Sequence, residues 1–72
     1  MYITLNLVTS EPRWYASLSE ATAGAIEENR LSPDHPALEL WEMGVGCGVR
    51  VGSLWREFGK DIDPENCWRE FS

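Results

Sequence analysis

Basic side chains are scarce: a single lysine and five arginines stand against twelve carboxylates in 72 residues, a formal charge of −6. Phosphate backbones are held mainly by Lys and Arg that displace counterions, so this balance predicts no direct binding of DNA or RNA. Cysteine is equally sparse. Cys47 and Cys67 are too few for the disulfide framework that staples small secreted domains, and free thiols are expected. Long apolar runs are missing. Nothing approaches the ~18 residues of a membrane-crossing helix. The opening Met1-Tyr2-Ile3-Thr4-Leu5-Asn6-Leu7-Val8 has neither the basic region nor the cleavage site of a secretory leader. The expectation is a cytoplasmic protein with no membrane contact.

Histidine occurs once, as His35 between Asp34 and Pro36. A carboxylate beside an imidazole is the start of a general base, but no nucleophile adjoins it. His35, Cys47 and Cys67 lack the closely spaced pairs, such as C-x-x-C, from which structural zinc sites are built. The paired carboxylates Glu27 with Glu28, Glu39 with Glu42, and Asp61 with Asp63 would need a substrate cleft that so short a chain rarely forms. Gly44-Val45-Gly46-Cys47-Gly48 lacks both the G-x-G-x-x-G spacing that leads into a helix and the G-K-[ST] of a phosphate loop, and reads as a hairpin turn. No enzyme activity, no metal and no cofactor are expected.

What the chain has is apolar and aromatic substance: 43% hydrophobic residues, including four Trp, two Tyr and two Phe. It should therefore fold, as one domain spanning residues 1–72, because a chain of this length has one core and the charge divides evenly between its halves. Residues 2–9 alternate, with Ile3, Leu5 and Leu7 on one face and Thr4 and Asn6 on the other, the period of a half-buried strand. Ser17-Leu18-Ser19-Glu20 is a capping box, which starts a helix running to about Arg30. Its inner face would hold Leu18, Ala21, Thr22, Ala25 and Ile26, and its outer face Glu20, Glu27 and Glu28.

Ala37 to Met43 suits either a strand or a short helix; the β-type residues Val49, Val51 and Trp55 after the glycines favour two strands around a hairpin, with Gly52 at a bulge or close contact. Asp63-Pro64-Glu65 is a helix-start pattern, and a second helix would bury Cys67, Trp68 and Phe71. The predicted fold is α+β, an antiparallel sheet of about three strands with two helices in the order β-α-β-β-α.

Four indoles exceed what so small a core hides, and Trp with Arg is the pairing enriched at interface hot spots. Trp14, beside Arg13, and Trp55, beside Arg56, are therefore candidate partner-binding residues, together with Glu20, Glu27 and Glu28. The function expected is binding to another protein. In its concrete form the chain is a small inhibitor whose carboxylates occupy a basic, nucleic-acid-binding surface of its partner. Phage-encoded antagonists of bacterial defence, anti-CRISPR proteins among them, share this size and charge, but no motif ties the chain to such a family. The alternative is a structural or accessory subunit that buries its surplus aromatics as a homodimer.

Overall fold

A computed structural model describes residues 1–33, 36–56 and 61–70. Five strands and one helix follow one another: β1 (Tyr2–Asn6), β2 (Pro12–Tyr15), α1 (Leu18–Leu31), β3 (Leu38–Gly44), β4 (Cys47–Leu54) and β5 (Trp68–Arg69). The strands form one antiparallel sheet in the order β2-β1-β3-β4-β5. The α+β expectation of three strands and two helices is thereby corrected to a mostly β architecture with one helix among the described residues.

Two segments account for the difference. Pro12–Tyr15 pairs with β1, Tyr15 opposite Tyr2 and Trp14 opposite Ile3. Proline starts the strand, where its missing donor is tolerated, rather than breaking the pattern. At the other end, the helix-start pattern at Asp63 makes only a turn: the Asp63 carboxylate accepts from the Glu65 N–H at 2.9 Å, and its carbonyl accepts from the Asn66 N–H at 3.1 Å. The chain then extends, and Trp68 pairs with Leu54. Pairing to β4, continued by the bond from the Trp55 N–H to the Cys67 carbonyl at 2.6 Å, displaces the local helical preference of Asp-Pro-Glu. Phe71, assigned to that second helix, lies outside the described residues, as does His35.

The first strand ends at Asn6 rather than at residue 9 because the Asn6 side chain closes a turn. Its Oδ1 accepts from the N–H groups of Val8 (2.9 Å) and Thr9 (3.1 Å). Ser10, at φ 62°, completes the reversal. The β3–β4 hairpin turns on Val45-Gly46, Gly46 at φ +79° supplying the left-handed conformation that glycine adopts without strain. Val51 is the extra residue of a bulge, since Leu40 pairs with Gly52 and Trp41 with Arg50. Gly52 itself is buried, and a Cβ there would come 2.5 Å from the Arg69 carbonyl oxygen.

Helix α1 begins where the capping box places it, the Ser17 hydroxyl accepting from the Glu20 N–H at 3.2 Å. It packs on the sheet face that carries Thr4 and Asn6, both buried, and not on the face of Ile3 and Leu5. Ala21 and Ala25 lie fully buried against Leu38 and Leu40, which pair with Asn6 and Thr4. A helix face of small residues demands close approach, and Thr4 and Asn6 leave room for it. The apolar core among the described residues is small: Ala21, Ala25, Leu38, Leu40 and Cys67.

Candidate functional site

Residues paired across a sheet share a face, so the register assigns every strand side chain to one of two surfaces. The helix-covered side holds Tyr2, Thr4, Asn6, Arg13, Tyr15, Leu38, Leu40 and Trp68. The other side carries Ile3, Leu5, Trp14, Glu39, Trp41, Met43, Arg50 and Arg69. No second layer covers it among the described residues, and its Trp14 is 58% exposed.

The five candidate partner-binding residues consequently fall into three settings. Glu20 and Glu27 are exposed on α1. Trp14 and Trp55 belong to the open sheet side, Trp55 with the Arg69 guanidinium 4.3 Å above its ring. Glu28 belongs to neither surface. Its side chain, 9% exposed, turns toward the sheet, where Oε1 pairs with Arg13 Nε at 2.9 Å and Oε2 accepts from Asn6 Nδ2 at 2.8 Å. Helical spacing alone put Glu28 beside Glu27; the position of Arg13 on β2 draws it inward. Among the described residues, Glu20 and Glu27 lie on the helix side and Trp14 and Trp55 on the open sheet side.

The open side has two unlike halves. Strands β1, β2 and β3 contribute Ile3, Leu5, Trp14, Trp41 and Met43. Strands β4 and β5 contribute Arg50 and Arg69. Glu39, buried on this side, is neutralised by Arg50, whose Nη1 lies 3.1 Å from Glu39 Oε2. Among the described strand residues of this face the guanidinium groups thus outnumber the carboxylates. The sequence leaves Trp41 and Met43 on a segment that suits a strand or a short helix; alternation along β3 is the signal that places them beside Trp14.

A cleft of about 260 Å³ lies between the helix and the segment after β4, lined by Ile26, Asn29, Arg30, Arg56, Asp61 and Ile62. It is small for a ligand site, and two of its polar groups have partners within the protein: Asn29 Nδ2 donates to the Pro36 carbonyl at 3.0 Å, and Arg56 also has one. Among the described residues no group of three or more His, Cys, Asp or Glu side chains could hold a metal ion. Cys67 is buried near Pro64, and burial pushes its thiol above the ordinary value, with the Asp63 carboxylate adding to a shift that a backbone hydrogen bond opposes. Cys47 is exposed beside the hairpin turn.

No protein-family model matches the chain, and no solved structure matches it significantly. No described helix is long and apolar enough to cross a membrane.

Proposed function

We propose that the chain is an acidic protein-binding module whose helix side engages a basic surface of another protein. The observation that supports this reading is how the arginines are used. Arg13 and Arg50 neutralise Glu28 and Glu39, carboxylates turned into the fold, and Arg69 lies over Trp55. Because the two ion pairs are neutral, the formal −6 rests wholly on other residues, Glu20 and Glu27 on α1 among them. Unlike charges of this kind steer encounter with a basic partner and set its salt dependence. In the inhibitory form of the reading, the surface occupied is one that the partner uses for nucleic acid, and the module has no catalytic role of its own.

The test is capture of the partner from the native host, or from its prey if the gene is viral, followed by titration at low and high salt. Wild type should bind with strong salt dependence, and nucleic acid should compete with it. The double variant Glu20→Lys/Glu27→Lys should bind at least about tenfold more weakly at low salt while retaining its fold. Equal affinity of the two proteins at low salt overturns the reading.

A further inference from the structure

We propose, resting on the helix-side reading above, that the groove between α1 and the turn before β5 is where the basic partner docks. Its occupant is an apolar side chain of the partner, flanked in the partner's own sequence by lysines or arginines.

The groove follows from two local features of the chain. Along α1 the helical repeat sets Leu18 in line with Thr22, and Ser19 in line with Ala23 and Glu27. Leu18, expected on the inner face, is 45% exposed. Opposite the helix, the Asp63 carboxylate accepts from the Glu65 N–H at 2.9 Å and the Asp63 carbonyl from the Asn66 N–H at 3.1 Å, a turn that holds Pro64 and Glu65 against the groove. Between the two lies an open groove of about 800 Å³, walled by Leu18, Thr22, Ala23, Pro64 and Trp68, a volume ample for a side chain. Its floor is apolar. The Trp68 indole N–H is already bound to the Thr22 hydroxyl at 2.9 Å, so it offers no free donor to a polar occupant.

Charge names the occupant. Glu65 lines the groove on the side of the turn. On the helix side, Glu20 stands three residues before Ala23 and Glu27 four after it, spacings that make both of them surface neighbours of that wall. All three carboxylates are exposed. No lysine or arginine is among the described residues that line the groove, and Glu20, in the first turn, offsets the positive end of the helix. An apolar floor inside an acidic rim suits an apolar side chain with cations beside it: the floor supplies affinity, and the rim selects the sign of the partner. A second copy of the chain, at −6, brings the wrong sign.

Heteronuclear NMR titration of the full chain with a short amphipathic peptide of leucine and lysine tests the proposal. The amide signals of Leu18, Ala23 and Glu65 and the indole signal of Trp68 should move together and saturate, with a dissociation constant below about 100 µM at low salt. The same peptide with alanine for leucine should bind at least about tenfold more weakly, and the version with glutamate for lysine should not bind. Ala23→Leu fills the groove from an exposed helix position without changing charge and should weaken binding at least about tenfold. Should that variant fail to fold, Ser19→Leu, which also projects into the groove, is measured in its place. Three results overturn the proposal: no saturation below about 1 mM, a leucine–lysine peptide bound no more tightly than its alanine or glutamate version, or a folded groove-filling variant that binds like wild type. The helix-side reading is separated by Glu20→Lys/Glu27→Lys. If that variant binds the peptide as wild type does while Ala23→Leu does not, the groove stands with Glu65 as its charge and the helix glutamates drop out; the reverse pattern removes the groove alone.

Discussion

Trp68 of β5 donates its indole N–H to the hydroxyl of Thr22 in α1, at 2.9 Å and forty-six residues away in the chain. This bond ties the far edge of the sheet to the helix and takes the place of the second helix expected around Trp68. Replacing Thr22 with Val should cost about 1 kcal/mol, and Trp68→Ala about 3 kcal/mol. In a double-mutant cycle of Thr22→Val with Trp68→Phe the two changes should couple, because they share the bond. Denaturant unfolding of the four proteins measures it; strictly additive losses would separate the two residues energetically.

Thr4 should be improved by losing its hydroxyl. It is 1% exposed, and its Oγ1 has no hydrogen-bond partner among the described residues. A buried hydroxyl without a partner costs about 1–3 kcal/mol relative to an apolar isostere. Thr4→Val, of similar shape and with the same preference for strands, is expected to raise stability by about 1 kcal/mol, read as a higher denaturant midpoint with unchanged slope.

The three helix glutamates should separate in a stability assay. Glu28→Ala removes the acceptor of both Arg13 and Asn6 and should cost about 1–2 kcal/mol, the exposed Arg13 contributing the smaller part. Asn6→Ala should cost about 2 kcal/mol, since it also releases the N–H groups of Val8 and Thr9 in the β1–β2 turn. Glu20→Lys and Glu27→Lys, on exposed positions, should each change stability by less than about 0.5 kcal/mol. Thermal melts at matched concentration give the comparison.

Cys67 predicts a loss of stability in alkali. Burial holds the folded thiol above its ordinary value of 9.0, whereas the unfolded thiol ionises near that value. The folded state keeps its proton longer, so the contribution is present below pH 9.0 and declines as pH rises from there through the folded value. Cys67→Ala should flatten that decline in a pH series of unfolding curves. A thiol reagent at neutral pH should modify Cys47 at once and Cys67 only when the protein is unfolded, their exposures being opposite.

Local patterns were readable where the interaction they encode is local. The capping box at Ser17 starts the helix because the Ser17 hydroxyl and the Glu20 amide are three residues apart. Gly46 supports the hairpin because the turn needs a positive φ there. The charge of −6 was legible as composition, but the arginine over Trp55 is Arg69 of β5 and not its neighbour Arg56, and Arg13 turns to Glu28 on the other side of the sheet from Trp14. Alternation along residues 2–9 set Ile3, Leu5 and Leu7 apart from Thr4 and Asn6, and the strand keeps that division only as far as Asn6; period alone does not say which face a helix will cover. The small face of α1 and the Asn6–Glu28 bond chose the polar one. Only tertiary pairing made β5, because the Asp63 turn is locally consistent with a helix and Trp68 instead extends to meet Leu54 and Thr22. The same packing withdrew Glu28 from the exposed helix surface and put Glu20 and Glu27 on the opposite side of the molecule from Trp14. A residue's spacing fixes its neighbours on one element, but the surface it belongs to depends on contacts between elements that are distant in the chain.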